Sequence, residues 1–226
     1  MPRKYTRRRY RRYPRKGNYS GGKAAYALNV ALKALAAAKM LKGLVNSEKK
    51  SYIQHVVGSS SSSGGVTQLS VISQGDTYGT RDGASVLAKG MTVKGSITHN
   101  QNNLADRCRL VYVHDKQQES GAAPSAGDIL HSIGTYGVDA PIEILANPGR
   151  FNILSDKIYN FTSNSTSDVR TINEYIKFPG NGLKMKWSSS TGGSQVKNGV
   201  YLLNLTDATS SPPQLDLMHR TFFYDN

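Results

Sequence analysis

The pattern of apolar and polar positions changes character twice along the chain. Residues 1–22, MPRKYTRRRYRRYPRKGNYSGG, contain no Ala, Val, Ile or Leu. Such a segment cannot bury enough apolar surface to offset the entropy of ordering it, so it is expected to be disordered when free. In Lys23–Leu44, KAAYALNVALKALAAAKMLKGL, helix formers dominate, and Leu28, Ala31, Leu32, Leu35 and Ala38 recur at three- and four-residue spacing. That period predicts an amphipathic helix over 23–45, with Gly43 near its end.

From Ser51 onward short β-prone runs alternate with Gly-, Ser-, Asn- and Pro-rich breaks. The predicted strands are Ser51–Val57, Val66–Ile72, Met91–Thr98, Arg107–Asp115, Phe151–Phe161, Val169–Phe178, Leu183–Trp187, Val200–Leu205 and Met218–Tyr224. Two of them alternate with the period of a half-buried strand: Met91, Val93, Gly95 and Ile97 against Thr92, Lys94, Ser96 and Thr98, and Leu183, Met185 and Trp187 against Lys184 and Lys186. The insertion Lys116–Gly149 predicts one short helix, Ser125–Leu130, with Ser125 as N-cap and Asp128 three residues on. Eight or nine strands joined by long loops predict an all-β, single jelly-roll sandwich over 51–226, preceded by the helix and a disordered basic arm.

Charge sharpens this division. The 226 residues carry a formal net charge of +14, and residues 1–50 hold fifteen Lys/Arg against Glu48 alone. Residues 51–226 hold fourteen of each sign, so the whole net charge belongs to the first fifth of the chain. In the arm, Arg3, Lys4, Arg7, Arg8, Arg9, Arg11, Arg12, Arg15 and Lys16 suit phosphate, the guanidinium groups through paired hydrogen bonds. Tyr5, Tyr10 and Tyr13 offer flat faces to unpaired bases, which favours a single strand over a duplex. Nine such contacts predict a salt slope of roughly −6 on a single strand. The helix reads first as an ordinary amphipathic element packed on the body, and Lys23, Lys33, Lys39 and Lys42 make it a secondary candidate surface for nucleic acid.

Other chemistry is weakly supported. One Cys excludes a disulfide framework, and no apolar stretch of the length of a membrane span or a signal-peptide core occurs. The arginines cluster in RRRYRR beside Pro14 and Gly17 instead of lining a helix face, unlike a mitochondrial transit peptide. GNYSGGKA at 17–24 has phosphate-loop spacing but ends in Ala24, which lacks the hydroxyl for Mg²⁺, and no strand precedes it. His55, His99, His114, His131 and His219 show no short ligand spacing. Asp115, Glu119, Asp128 and Asp139 form no recognisable acid/base pair. Cys108, between Arg107 and Arg109, is either a thiol of lowered pKa or a small core residue, the strand placement favouring the latter. Sequons at Asn18, Asn160, Asn164 and Asn204 matter only for a secreted chain. The expectation is a non-enzymatic protein with no cofactor, no metal, no small-molecule substrate and no stable membrane association.

Taken together, the arm, LVNSEKKSY at 44–52, RLVYVHDKQQESGAAPSAGDIL at 109–130, RFNILSDKIYNF at 150–161 and HRTFFYDN at 219–226 resemble capsid proteins of small circular, Rep-encoding single-stranded DNA viruses, the circovirus and geminivirus group. The resemblance implies a jelly-roll subunit that self-assembles into an icosahedral shell of about 60 copies. It also implies that the arm packages a single-stranded DNA genome and engages a host nuclear import receptor, with the protein found in the virion and the host nucleus. Sixty arms would carry roughly 840 positive charges, on the order of a thousand phosphates. The competing readings are a cellular ribosomal or chromatin-type nucleic-acid-binding protein, a jelly-roll capsid protein of a small RNA virus, and a cupin-like enzyme.

Overall fold

The computed structural model describes residues 26–37, 48–99, 105–117, 122–143, 149–162 and 168–225. Two compact units divide the chain, Met1–Asn46 and Ser47–Asn226. In the first, residues 26–37 form the helix α1, with every residue exposed.

The second unit is built from ten strands: β1 Glu48–Ser59, β2 Gly65–Gln68, β3 Ser85–Thr98, β4 Ala105–Asp115, β5 Phe151–Thr162, β6 Val169–Lys177, β7 Leu183–Trp187, β8 Gln195–Lys197, β9 Gly199–Thr206 and β10 Gln214–Asp225. One sheet runs β1-β10-β3-β7-β8, with β6 also paired to β3, and the other runs β2-β9-β4-β5. Every pairing between these strands is antiparallel. β6 pairs with Gly90–Thr98 and β7 with Ser85–Ala88, so the two act as one jelly-roll strand broken by the turn at 178–182. Counting them as one, and leaving aside the three-residue β8, gives eight positions in two four-strand sheets. The chain changes sheet at nearly every connection. This is a jelly-roll sandwich, reached with ten strands where the sequence predicts eight or nine.

The alternation in β3 and β7 places Met91, Val93, Ile97, Leu183, Met185 and Trp187 in the core between the sheets, with Lys94, Lys184 and Lys186 exposed. β9, and β4 from Leu110 to Val113, read instead as apolar runs because both their faces are covered. Cys108, Leu110, Tyr112, Val200 and Leu202 join the inter-sheet core, while Val111, Val113, Leu203 and Leu205 form a second cluster with Ala126, Ile129, Leu130, Val138 and Ala140 of the insertion. The insertion is thus a third layer over the second sheet. Its helix α2, Ala126–Ile129, has the expected capping box: Asp128 N–H donates to the Ser125 hydroxyl and Ser125 N–H donates to the Asp128 carboxylate. A second one-turn helix, α3 Ile133–Tyr136, follows, and it carries no comparable signal in the sequence.

Several strand boundaries depart from expectation, the largest at β3, which starts at Ser85, six residues before the predicted Met91, and pairs there with β7. β1 starts at Glu48 because Lys50, 3% exposed, is held by Asp82 at 2.8 Å and by Asp225 and Glu48 at 3.4 Å. β2 ends at Gln68: Leu69 and Ile72 turn into the core, and the Ile72 carbonyl accepts from Nε of the buried Arg81 at 3.0 Å. That guanidinium also donates to the carbonyls of Gly83 and Ser189 and lies 4.6 Å from the Trp187 ring, tying the β2–β3 and β7–β8 loops together. β10 begins at Gln214, four residues earlier than predicted.

Candidate nucleic-acid interface

Of the candidate nucleic-acid-binding residues, Arg3, Lys4, Tyr5, Arg7, Arg8, Arg9, Tyr10, Arg11, Arg12, Tyr13, Arg15, Lys16, Lys23, Lys39 and Lys42 lie outside the described residues. Lys33 sits exposed on α1, as do Leu28, Leu32 and Leu35.

The body, neutral in sum, is uneven in distribution. Around the covered second sheet its arginines are taken up by carboxylates. Arg107 donates to Asp139 at 2.8 Å and Asp207 at 2.7 Å. Arg109, 6% exposed, makes a two-pronged bond to Asp156 and donates to the carbonyls of Val138 and Ala140. Arg150 holds the fully buried Asp115 at 2.8 Å. At the edges of the sandwich, Lys157 meets Glu174 at 2.7 Å and Arg170 meets Asp168 at 2.9 Å.

The outward face of the first sheet is the reverse. Strand register puts Lys49 of β1, Arg220 of β10, Lys94 of β3, Lys177 of β6, Lys184 and Lys186 of β7 and Lys197 of β8 on that side, and Lys89 joins them at the β3 bulge. None of these eight is ion-paired to a described carboxylate. Among the described strand residues facing this way, the one carboxylate is Asp216, and His55 Nε2 lies 2.6 Å from it. Lys94, Lys184 and Lys186 were legible as polar positions of alternating strands. Their company was not, because Lys49, Lys177, Lys197 and Arg220 come from other segments, and only sheet order collects them.

The remaining titratable groups serve the fold. Cys108 is buried and 3.2 Å from the Ser60 hydroxyl; burial pushes its thiol up to about 11, opposite to the lowering its arginine neighbours suggest, because Arg107 and Arg109 point away into ion pairs. His219 is fully buried with Nε2 3.2 Å from the Tyr112 hydroxyl, and burial takes it down to about 4. His114 is lowered by burial and bonds Asn198 at 3.0 Å, while His99 and His131 lie beside Asp106 and Glu143. Asp128 is engaged by Ser125 and Asp139 by Arg107; Glu119 lies outside the described residues. Among the described residues no group of three or more His, Cys, Asp or Glu is placed to hold a metal ion, and no helix is long and apolar enough to cross a membrane.

No protein-family model and no curated protein matches the chain. Among solved structures, a chain of Desmodium yellow mottle tymovirus is similar over 79% of this chain and 87% of its own, at 11% identity and a TM-score of 0.34. A chain from the structure of the Gx strain of infectious bursal disease virus is similar over 78% of this chain and 33% of its own, at 9% identity and a TM-score of 0.28. Both come from viruses. The class of fold, a jelly-roll sandwich, rests on the strand order described above.

Proposed function

We propose that the protein is a viral capsid subunit that self-assembles into a small icosahedral shell and packages single-stranded DNA through its Arg-rich N-terminal segment. The observation that carries this reading is the union, in one short chain, of an eight-position jelly-roll sandwich with an N-terminal segment holding the entire net charge. A sandwich closes its own core and leaves its rims and loops for contact with identical copies, and a body without net charge lets many copies approach closely. About 60 copies form the simplest closed icosahedral arrangement. The interleaved arginines and tyrosines at 3–16 bind phosphates and unpaired bases, and the same cluster serves as a nuclear import signal.

Negative-stain electron microscopy of the purified full-length protein tests the shell, and nuclease sensitivity of the extracted nucleic acid tests the cargo. Closed shells holding DNase-sensitive nucleic acid are expected. RNase-sensitive cargo would transfer the reading to an RNA virus, which the arm's chemistry serves equally well. A monomer under all assembly conditions would overturn it. Deleting residues 1–17 should weaken packaging while leaving the sandwich folded. A fluorescent fusion to residues 1–22 should accumulate in nuclei if the segment is an import signal.

A further inference from the structure

We propose that the outward face of the first sheet is a second binding surface for single-stranded nucleic acid, formed by the folded body and separate from the N-terminal arm. Three observations converge on it.

The first is charge without cancellation: the face presents unpaired cations on six strands and one carboxylate, already occupied by His55. The second is aromatic surface among those cations. Tyr175 is 59% exposed, and its ring lies over Gly90 of β3, where a Cβ would meet Tyr175 Oη at 2.3 Å and Cζ at 2.7 Å. A larger residue there would have to displace the ring tip or press on the Ile176 carbonyl, 2.9 Å from the Cβ position. The hydroxyl end of the ring is therefore set down on the sheet while most of the residue stays exposed. Phe222 and Tyr224 of β10 point the same way, and Lys89 Nζ stands 5.5 Å from the centroid of the Tyr224 ring. The third is relief. A hollow of about 190 Å³ is bounded by Thr92, Lys94, Arg220 and Phe222, and another of about 270 Å³ lies between Lys49, Lys89, Tyr175 and Tyr224.

The register turns these features into a track. Arg220, Thr92 and Tyr175 lie in one row across three neighbouring strands, and Met218, Lys94 and Asn173 in the next like-facing row. At about 4.8 Å per strand, Arg220 and Tyr175 stand roughly 10 Å apart, each lining one of the two hollows, which share Phe222. A cation for phosphate beside an open ring for a base is the arrangement that holds single strands. A duplex, with its bases stacked inward, would leave the rings unused. Phosphate contact and ring stacking tolerate every base, so binding is expected to show little sequence preference.

Full-length protein with all nine arm cations, Arg3, Lys4, Arg7, Arg8, Arg9, Arg11, Arg12, Arg15 and Lys16, replaced by Gln isolates the face from the arm. Fluorescence anisotropy with oligo(dT) and oligo(U) over a salt series then reads the affinity and its slope. This background should keep measurable, salt-dependent binding. Adding Lys94→Gln, Lys184→Gln and Arg220→Gln should make the log–log slope shallower by about 2, while Lys94→Arg, Lys184→Arg and Arg220→Lys should leave it in place. Tyr175→Ala should weaken binding about tenfold at unchanged slope, with Tyr175→Phe retaining it. Photocrosslinks from a halogenated oligonucleotide should map to Tyr175 or Phe222, and an unchanged thermal melt shows that the variants are folded. Loss of all binding in the arm background overturns the proposal, as do crosslinks absent from β6 and β10. A triple variant that changes oligomer size but not binding also overturns it and makes the face a contact between subunits. Background binding as strong as that of the parent would instead count against the arm, so the two readings fail separately.

Discussion

Replacing Arg109 by Ala removes the more buried of the two arginines of β4 that bolt the insertion to the second sheet. Its guanidinium donates to both Asp156 oxygens at 2.8 and 2.7 Å, to the Val138 carbonyl at 2.9 Å and to the Ala140 carbonyl at 2.6 Å. Truncation leaves Asp156 without its counter-ion and two carbonyls facing a cavity. Breaking a buried pair costs about 3–5 kcal/mol, but the Asp156 side chain is 32% exposed and recovers part of its hydration. The expected loss is therefore about 3 kcal/mol, a large fraction of the ~5–15 kcal/mol that stabilises a domain. Arg109→Met with Asp156→Leu should recover the part due to the stranded charge, while the Val138 and Ala140 carbonyls stay without their donor. Urea denaturation followed by the fluorescence of Trp187, the only tryptophan and a core residue, gives the global value. Hydrogen exchange over 126–140 gives the local one, where protection should fall first. A loss below about 1 kcal/mol, or unchanged exchange in the insertion, would refute the reasoning that this guanidinium holds the third layer.

His219 makes stability pH-dependent in a defined direction. Buried and neutral in the fold, it titrates near 4 against an ordinary 6.5, so below pH 6.5 the unfolded chain takes a proton that the folded one refuses. Stability should fall from pH 6.5 to about 4 by up to ~3 kcal/mol more in the parent than in His219→Gln, measured by urea melts across that range. Cys108 should resist iodoacetamide at pH 8 in the native protein and react once urea unfolds it, because burial holds its thiol up near 11. Gly90→Ala should cost about 2 kcal/mol by thermal melt, since the new Cβ meets Tyr175 and, at 2.9 Å, the Ile176 carbonyl. Adding Tyr175→Ala should restore only the part due to the ring.

Local patterns carried far in this chain, and non-local ones did not. The alternation of β3 and β7 and the Ser125–Asp128 spacing each rest on residues a few positions apart, and the structure realises them directly. β8 escaped notice because three residues, Gln195–Lys197, carry no period. The early start of β1 escaped because Glu48, Lys49 and Lys50 read as a solvated run, and Asp82 and Asp225, which bury Lys50, lie far off in sequence. α3 escaped because Ser132 enters it from a left-handed conformation (φ 51°) without a side-chain cap. The basic face is the extreme case. Its members are spread over six strands, and a zero charge sum argues against looking for it.

That zero sum is where the physics of the body is most easily misread. Five of its acids, Asp115, Asp139, Asp156, Asp168 and Asp207, are spent on arginines at the covered sheet and the sandwich edges, where the planar guanidinium can grip a carboxylate at two points in partly dry surroundings. Its free cations are mostly lysines, whose compact and strongly hydrated charge suits an open sheet surface. The two sheets lie about 10 Å apart, and screening at physiological salt acts over about 8 Å. A polyanion at the first sheet is therefore largely screened from the carboxylates beyond the second and meets the lysines first. A body that sums to zero can in this way be neutral toward its identical neighbours at long range and positive toward nucleic acid at short range. The N-terminal segment joins this body at β1, an edge strand of the basic sheet. If both surfaces act on one strand, the salt slope of the intact protein should exceed what the nine arm cations supply alone.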